Sequence, residues 1–154
     1  MTHFTRLIES VRSLAEPAPP ATRGQEVARL GLGAFMSFAG VSHLTFARKD
    51  FQAQVPDWFP MDKDVVVLAS GVVEVAFGAA MLTLPQRRAA VGVALAAFYA
   101  AIFPGNISQY AERHDAFGLD TDTKRLVRLF GQPALIAAAL WAAGIPEREH
   151  GGRR

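Results

Sequence analysis

Val65–Leu84 reads VVVLASGVVEVAFGAAMLTL, twenty residues with a single charge, Glu74. A bilayer core about 30 Å thick is crossed by roughly 20 apolar residues rising 1.5 Å each. The stretch has that length and is apolar nearly all round, whereas a helix of a soluble bundle keeps a polar face. It therefore predicts a membrane-spanning helix. Three further blocks resemble it in composition. Leu30–Phe46 is LGLGAFMSFAGVSHLTF; Ala89–Phe103 is AAVGVALAAFYAAIF and runs on as PGNISQY. Leu126–Gly144 is LVRLFGQPALIAAALWAAG, with Arg128 near its start. These three reach a spanning length only with their polar ends. Spans at about 30–46, 65–84, 89–109 and 126–144 predict an all-α fold, an integral membrane four-helix bundle within residues 26–145.

The rest of the composition agrees. The 154 residues suit one domain, 51% are hydrophobic and 19% charged. The charged share lies below the roughly 25% of soluble domains. Sixteen Lys and Arg against fourteen Asp and Glu leave a net charge of +2. No basic stripe carries interleaved aromatics, so no nucleic-acid partner is expected. The chain has no Cys, which excludes disulfides, thiol redox chemistry, Cys-ligated zinc and iron–sulfur clusters.

Residues 1–25 are polar and lack the apolar core of a signal peptide. Within them Met1–Ala15 places Phe4, Leu7, Ile8, Val11 and Leu14 at helical spacing, which predicts a short amphipathic helix on the membrane surface. Glu16-Pro17-Ala18-Pro19-Pro20 ends it as a stiff linker. Trp58 and Phe59, in the first loop, sit like interfacial anchors. Pro85–Arg88 is a tight turn, Ala111–Lys124 an acidic loop, and 146–154 a polar tail. The side bearing both termini carries nine Lys and Arg against seven on the other. Both termini are therefore expected in the cytoplasm of a multi-pass protein of the inner (plasma) membrane. Gly33, Ser37 and Gly40 in the first span, and Gly71 and Gly78 in the second, lie on single helix faces and predict close helix packing.

Polar groups inside hydrocarbon are costly and face inward or serve a function. Here they are His43, Glu74, Asn106, Gln109, Arg128 and Gln132. Alternating helix direction puts all of them in one half of the bundle, away from the termini. Glu74, nine residues into its span, is about 13–14 Å deep. A carboxylate at that depth needs a partner or a proton, and Arg128 is the expected partner. Glu74 is the candidate catalytic group, and all six residues are candidate ligand-binding positions. One His and one Glu do not give metal-ligand spacing, so no metal site is expected. A two-histidine haem is excluded too, since His3, His114 and His150 lie outside the spans. A polar cluster in an apolar bundle suits a hydrophobic ligand with polar atoms, such as a quinone or a lipid.

Several of these stretches resemble the DoxX family of small four-helix membrane proteins. GVSHLTFARKDFQAQVPDWFP resembles the family's first-helix exit, with its His-Phe pair loosened to His43-Leu44-Thr45-Phe46. Gly71-Val72-Val73-Glu74 resembles its Gly-x-x-Glu, and Phe103-Pro104-Gly105-Asn106-Ile107 its Phe-Pro-Ala-Asn-Ile. Arg128-Leu129-Phe130-Gly131-Gln132 followed by Trp141 resembles its Arg-Leu-x-x-Gln. The resemblance runs in order over about residues 30–143 and implies a four-helix bundle. It also implies a membrane component of a quinone-linked redox system, similar to the DoxD subunit of a thiosulfate:quinone oxidoreductase, with a membrane or periplasmic redox partner protein. Its MauE-like relatives' disulfide chemistry is not available to a chain without Cys. In that role Glu74 would handle a proton, while Arg128, Asn106 and His43 would bind ring oxygens. The alternative is a non-catalytic membrane protein that binds a lipid or stabilises a partner.

Overall fold

The computed structural model describes residues 12–145, among which there is no strand. Four long helices dominate: α1 (Arg23–Leu44), α3 (Lys63–Thr83), α4 (Arg88–Ala111) and α5 (Asp122–Ala143). A short α2 (Arg48–Gln52) follows α1, and a 3-10 turn, Pro85–Arg87, joins α3 to α4. All four long helices are long and apolar enough to cross a membrane. The polar turn expected at Pro85–Arg88 is this 3-10 turn. Of the expected N-terminal helix, residues 12–15 are helical; the remainder, like 146–154, lies outside the described residues.

The helix ends follow local chemistry rather than the edges of the apolar blocks. Thr22 Oγ1 accepts from Gln25 N at 3.2 Å, and Gln25 Oε1 accepts from Thr22 N at 2.9 Å. This reciprocal cap satisfies two orphan donors and starts α1 at Arg23, inside the stretch expected to be a polar segment. Asp62 caps α3 through the backbone N–H groups of Asp64 and Val65. Thr121 caps α5, which ends at Gly144 in the left-handed conformation, φ 88°.

The long helices form two tight pairs, α1 with α3 and α4 with α5. The first is built on glycines. A Cβ on Gly40 would lie 2.6 Å from the Gly71 carbonyl oxygen, and one on Gly33 3.2 Å from that of Gly78. The second has Gly92, where a Cβ would lie 2.8 Å from the Ala139 oxygen. Backbones can approach this closely only where side chains are missing. Leu32, Met36, Met81, Leu95 and Tyr99 fill the core between the pairs. Large apolar side chains also cover the outside, among them Val27 at 70%, Phe38 at 65%, Val72 at 59% and Phe130 at 70% exposure.

Two arginines counted above as topology signals are buried at the terminus end. Arg29 donates to the Met81 carbonyl, in the last turn of α3. Arg88 donates to the Ala142 carbonyl at 3.0 Å, in the last turn of α5, and to the Pro19 carbonyl at 2.7 Å. The last carbonyls of a helix have no intrahelical donor and carry the negative end of its dipole. Each arginine therefore caps the neighbouring antiparallel helix. Through Pro19, Arg88 also ties down the linker before α1.

Candidate functional site

A cavity of about 960 Å³ lies in the half of the bundle away from the termini. All four long helices wall it, and most of its lining is apolar. Its polar wall consists of Ser42, His43, Ser70, Glu74, Tyr99, Arg128, Gln132 and Gln54. Phe51 of α2 and Val55, Pro56, Trp58 and Phe59 of the loop after it roof the cavity, joined by Phe117 and Leu119. Trp58 and Phe59, expected to face the interface, thus also face the cavity.

His43 and Glu74 meet directly. Nδ1 of His43 lies 2.9 Å from Glu74 Oε2 and 2.8 Å from the Ala39 carbonyl oxygen. Both side chains are buried, at 7% and 4% exposure. One ring nitrogen carries at most one proton, so both acceptors cannot be served by Nδ1–H. When the proton points at Ala39, Glu74 Oε2 has no donor. When the proton sits on Glu74, its carboxyl donates to Nδ1 instead. The other carboxyl oxygen accepts from Ser70 Oγ at 3.4 Å, one turn back on the same face of α3. Phe51 stacks on the imidazole, with ring centroids 3.3 Å apart. Glu74 is therefore partnered by His43, not by the expected Arg128. The glycine contacts explain this. A Cβ on Gly71 would sit 2.8 Å from His43 Cβ, so its absence lets α1 bring His43 alongside Glu74.

Arg128 lines the cavity and makes no hydrogen bond or ion pair among the described residues. Gln132, one turn further along α5, donates to the Tyr99 carbonyl at 2.6 Å. That carbonyl lies beside the turn that Pro104 leaves one donor short. Asn106 does not line the cavity; its Nδ2 donates to Gln132 Oε1 at 3.0 Å and fixes the amide in that role. Gln109, also outside the cavity, is 1% exposed and faces the His114 carbonyl. Four of the six expected residues, His43, Glu74, Arg128 and Gln132, thus share one cavity, while Asn106 and Gln109 support its frame. Sequence reasoning missed Ser70, Tyr99 and Phe51. Ser70 was within reach, being four residues before Glu74.

The roof is held by charges outside the cavity. Arg48 forks onto the Asp64 carboxylate, and Gln52 Nε2 donates to Asp64 Oδ1 at 3.0 Å. The Asp64 contact holds the Arg48 guanidinium above its ordinary pKa. Lys63 pairs with Asp57 and lowers its carboxyl pKa. Asp57, Glu112 and His114 also place ligand-type atoms within 4.8 Å of one another at the surface. There Lys63 already neutralises Asp57, and His114 Nδ1 faces the Ala53 carbonyl.

A family model described as a domain of unknown function (DUF8561) matches residues 32–143, from the middle of α1 to the end of α5. The chain belongs to the DUF8561 family. The matched region contains every cavity-lining residue of this DUF8561 protein. No curated protein and no solved structure matches it.

Proposed function

We propose that this protein is a multi-span inner-membrane protein whose cavity binds a lipid-soluble quinone within a quinone-linked redox system. The observation that carries the reading is one cavity of about 960 Å³ that brings together apolar walls, the His43–Glu74 pair and Arg128. Ligand pockets typically enclose about 300–1,000 Å³ and combine apolar walls with a few convergent polar groups. Apolar walls suit a ring and tail, and imidazole and guanidinium donors suit ring oxygens. The resemblance to the DoxX family supports the same ligand. The apolar outer surface of the four helices supports insertion in a bilayer. The Lys and Arg excess supports cytoplasmic termini, with the cavity in the outer half, towards a membrane or periplasmic redox partner.

A bound quinone would supply two-electron chemistry coupled to protons. The His43–Glu74 pair holds a proton at the cavity wall, and Ser70 steadies the carboxyl. Phe51 shields the imidazole from water on the loop side. Arg128 donates to a ligand oxygen. The ring-binding role expected of Asn106 passes to Gln132, which Asn106 orients.

Trp58 lines the cavity, and the only other Trp, Trp141, packs near Gly24 at the far end. Trp141→Phe therefore leaves one fluorophore at the site. Decylubiquinone should quench it saturably in nanodiscs, and Glu74→Gln should weaken that binding. Quenching that stays linear in concentration and identical in both proteins would sink the reading.

A further inference from the structure

The cavity carries a positive charge that the protein does not balance. Glu74 is engaged by His43 and Ser70. The acids around the start of α5 are engaged as well. Asp115 and Asp122 bind Arg125, Asp122 also lies 3.6 Å from Arg113, and Asp120 binds Lys124 at 2.6 Å. Arg128, between them and the cavity, has neither hydrogen bond nor ion pair among the described residues. A guanidinium beside apolar walls is unfavourable without a counter-charge. Its planar fork matches a carboxylate or phosphate in two parallel hydrogen bonds. Leu135 and Ala138 line the cavity further along α5, and Phe35 and Met36 line it from α1. Arg128 and Leu135 are seven residues apart and so share a helix face.

We infer that Arg128 makes this cavity selective for a single-chain amphiphile with an anionic head, a carboxylate or a phosphate. The head binds the guanidinium and the chain lies between α1 and α5. A volume of about 960 Å³ falls in the range of pockets for small ligands, which favours one chain over a two-chain phospholipid. The inference rests on the reading that the cavity takes a lipid-soluble ligand, and it adds an anionic amphiphile as a second ligand class beside the neutral quinone.

The test uses the full chain with Trp141→Phe in neutral phosphatidylcholine nanodiscs. Brominated chains quench Trp58, so dibromostearate, dibromostearyl phosphate and dibromostearyl alcohol are titrated as three arms. The expected result is saturable quenching by both anions, at least about tenfold tighter than by the alcohol. The order of the two anions tells which head the site prefers. Arg128→Gln should bring both anions to the affinity of the alcohol, and Arg128→Lys should keep part of the preference. No preference in the unaltered site, or a preference that survives Arg128→Gln, overturns the inference. Saturable decylubiquinone binding without anion preference overturns it alone. Anion binding without decylubiquinone binding overturns only the quinone reading, and no saturable binding by any probe overturns both.

Discussion

The two partners in the His43–Glu74 contact are unequally supported, and this gives a test of known size. With Glu74→Leu, His43 keeps the Ala39 carbonyl at 2.8 Å and its stack on Phe51. With His43→Leu, the Glu74 carboxyl keeps only Ser70, at the long distance of 3.4 Å. A buried polar group left without a partner costs about 1–3 kcal/mol, and more if charged. For a chain of this size 1 kcal/mol moves the melting midpoint by roughly 2–4 °C. His43→Leu should therefore lower the midpoint by about 2–12 °C, and Glu74→Leu by less. The double variant should be no less stable than His43→Leu alone, because two apolar side chains leave nothing stranded. The assay is thermal unfolding in one detergent at one pH. Arg128→Gln supplies a contrast: its effect should add to that of Glu74→Leu, since these two do not pair. A His43/Glu74 double variant that loses the sum of its singles would refute the coupling.

Gly71→Ala should weaken both stability and decylubiquinone binding, because its Cβ would displace His43. Gly92→Ala, a comparably tight contact at the other end, should lower the melting midpoint and leave binding unchanged. Arg29→Met and Arg88→Met should each cost about 1–3 kcal/mol in thermal unfolding by stranding helix-end carbonyls, with no loss of ligand quenching. In this chain without native Cys, Met61→Cys and Asp120→Cys should react with an impermeant thiol reagent applied outside the cell, and Gln86→Cys should not. Labelling of Gln86→Cys alone would reverse the orientation.

The fold was legible because four apolar blocks leave few alternatives, and the structure has four long helices where they lie. Their ends were less so. Leu30 begins the apolar block, but the Thr22–Gln25 cap starts the helix seven residues earlier. The Thr-x-x-Gln signature was there to be read. At the site, the rise per residue gives depth along a helix, which is why His43, Glu74, Arg128 and Gln132 were grouped correctly. The angle around the helix depends on which neighbour it packs against. Asn106 and Gln109 lie at the right depth but face the α5 contact and the His114 loop instead. The partner of Glu74 depended on the same knowledge. Only the α1–α3 contact brings His43 closer than Arg128. The capping contacts of Arg29 and Arg88 were not legible for a related reason: their carbonyl partners are 52 and 54 residues away in sequence.

The close contacts and the cavity are two consequences of one arrangement. Small residues pull α1 onto α3 and α4 onto α5, so space remains only between the pairs. Below the cavity that space is closed by large side chains, where Tyr99 Oη lies 3.0 Å from Met36 Sδ. Above them α4 changes character. Pro104 removes a backbone donor, Gln132 serves the Tyr99 carbonyl, and Gly105 admits the Gln54 backbone from the roof. These departures from regular packing are each met by a polar side chain or a loop, whereas Arg128 has no hydrogen bond or ion pair among the described residues. The contact that tightens α1 on α3 also sets His43 on Glu74, because one missing Cβ at Gly71 allows both. Selection for a tight first pair and selection for a paired carboxyl would therefore act on the same residue.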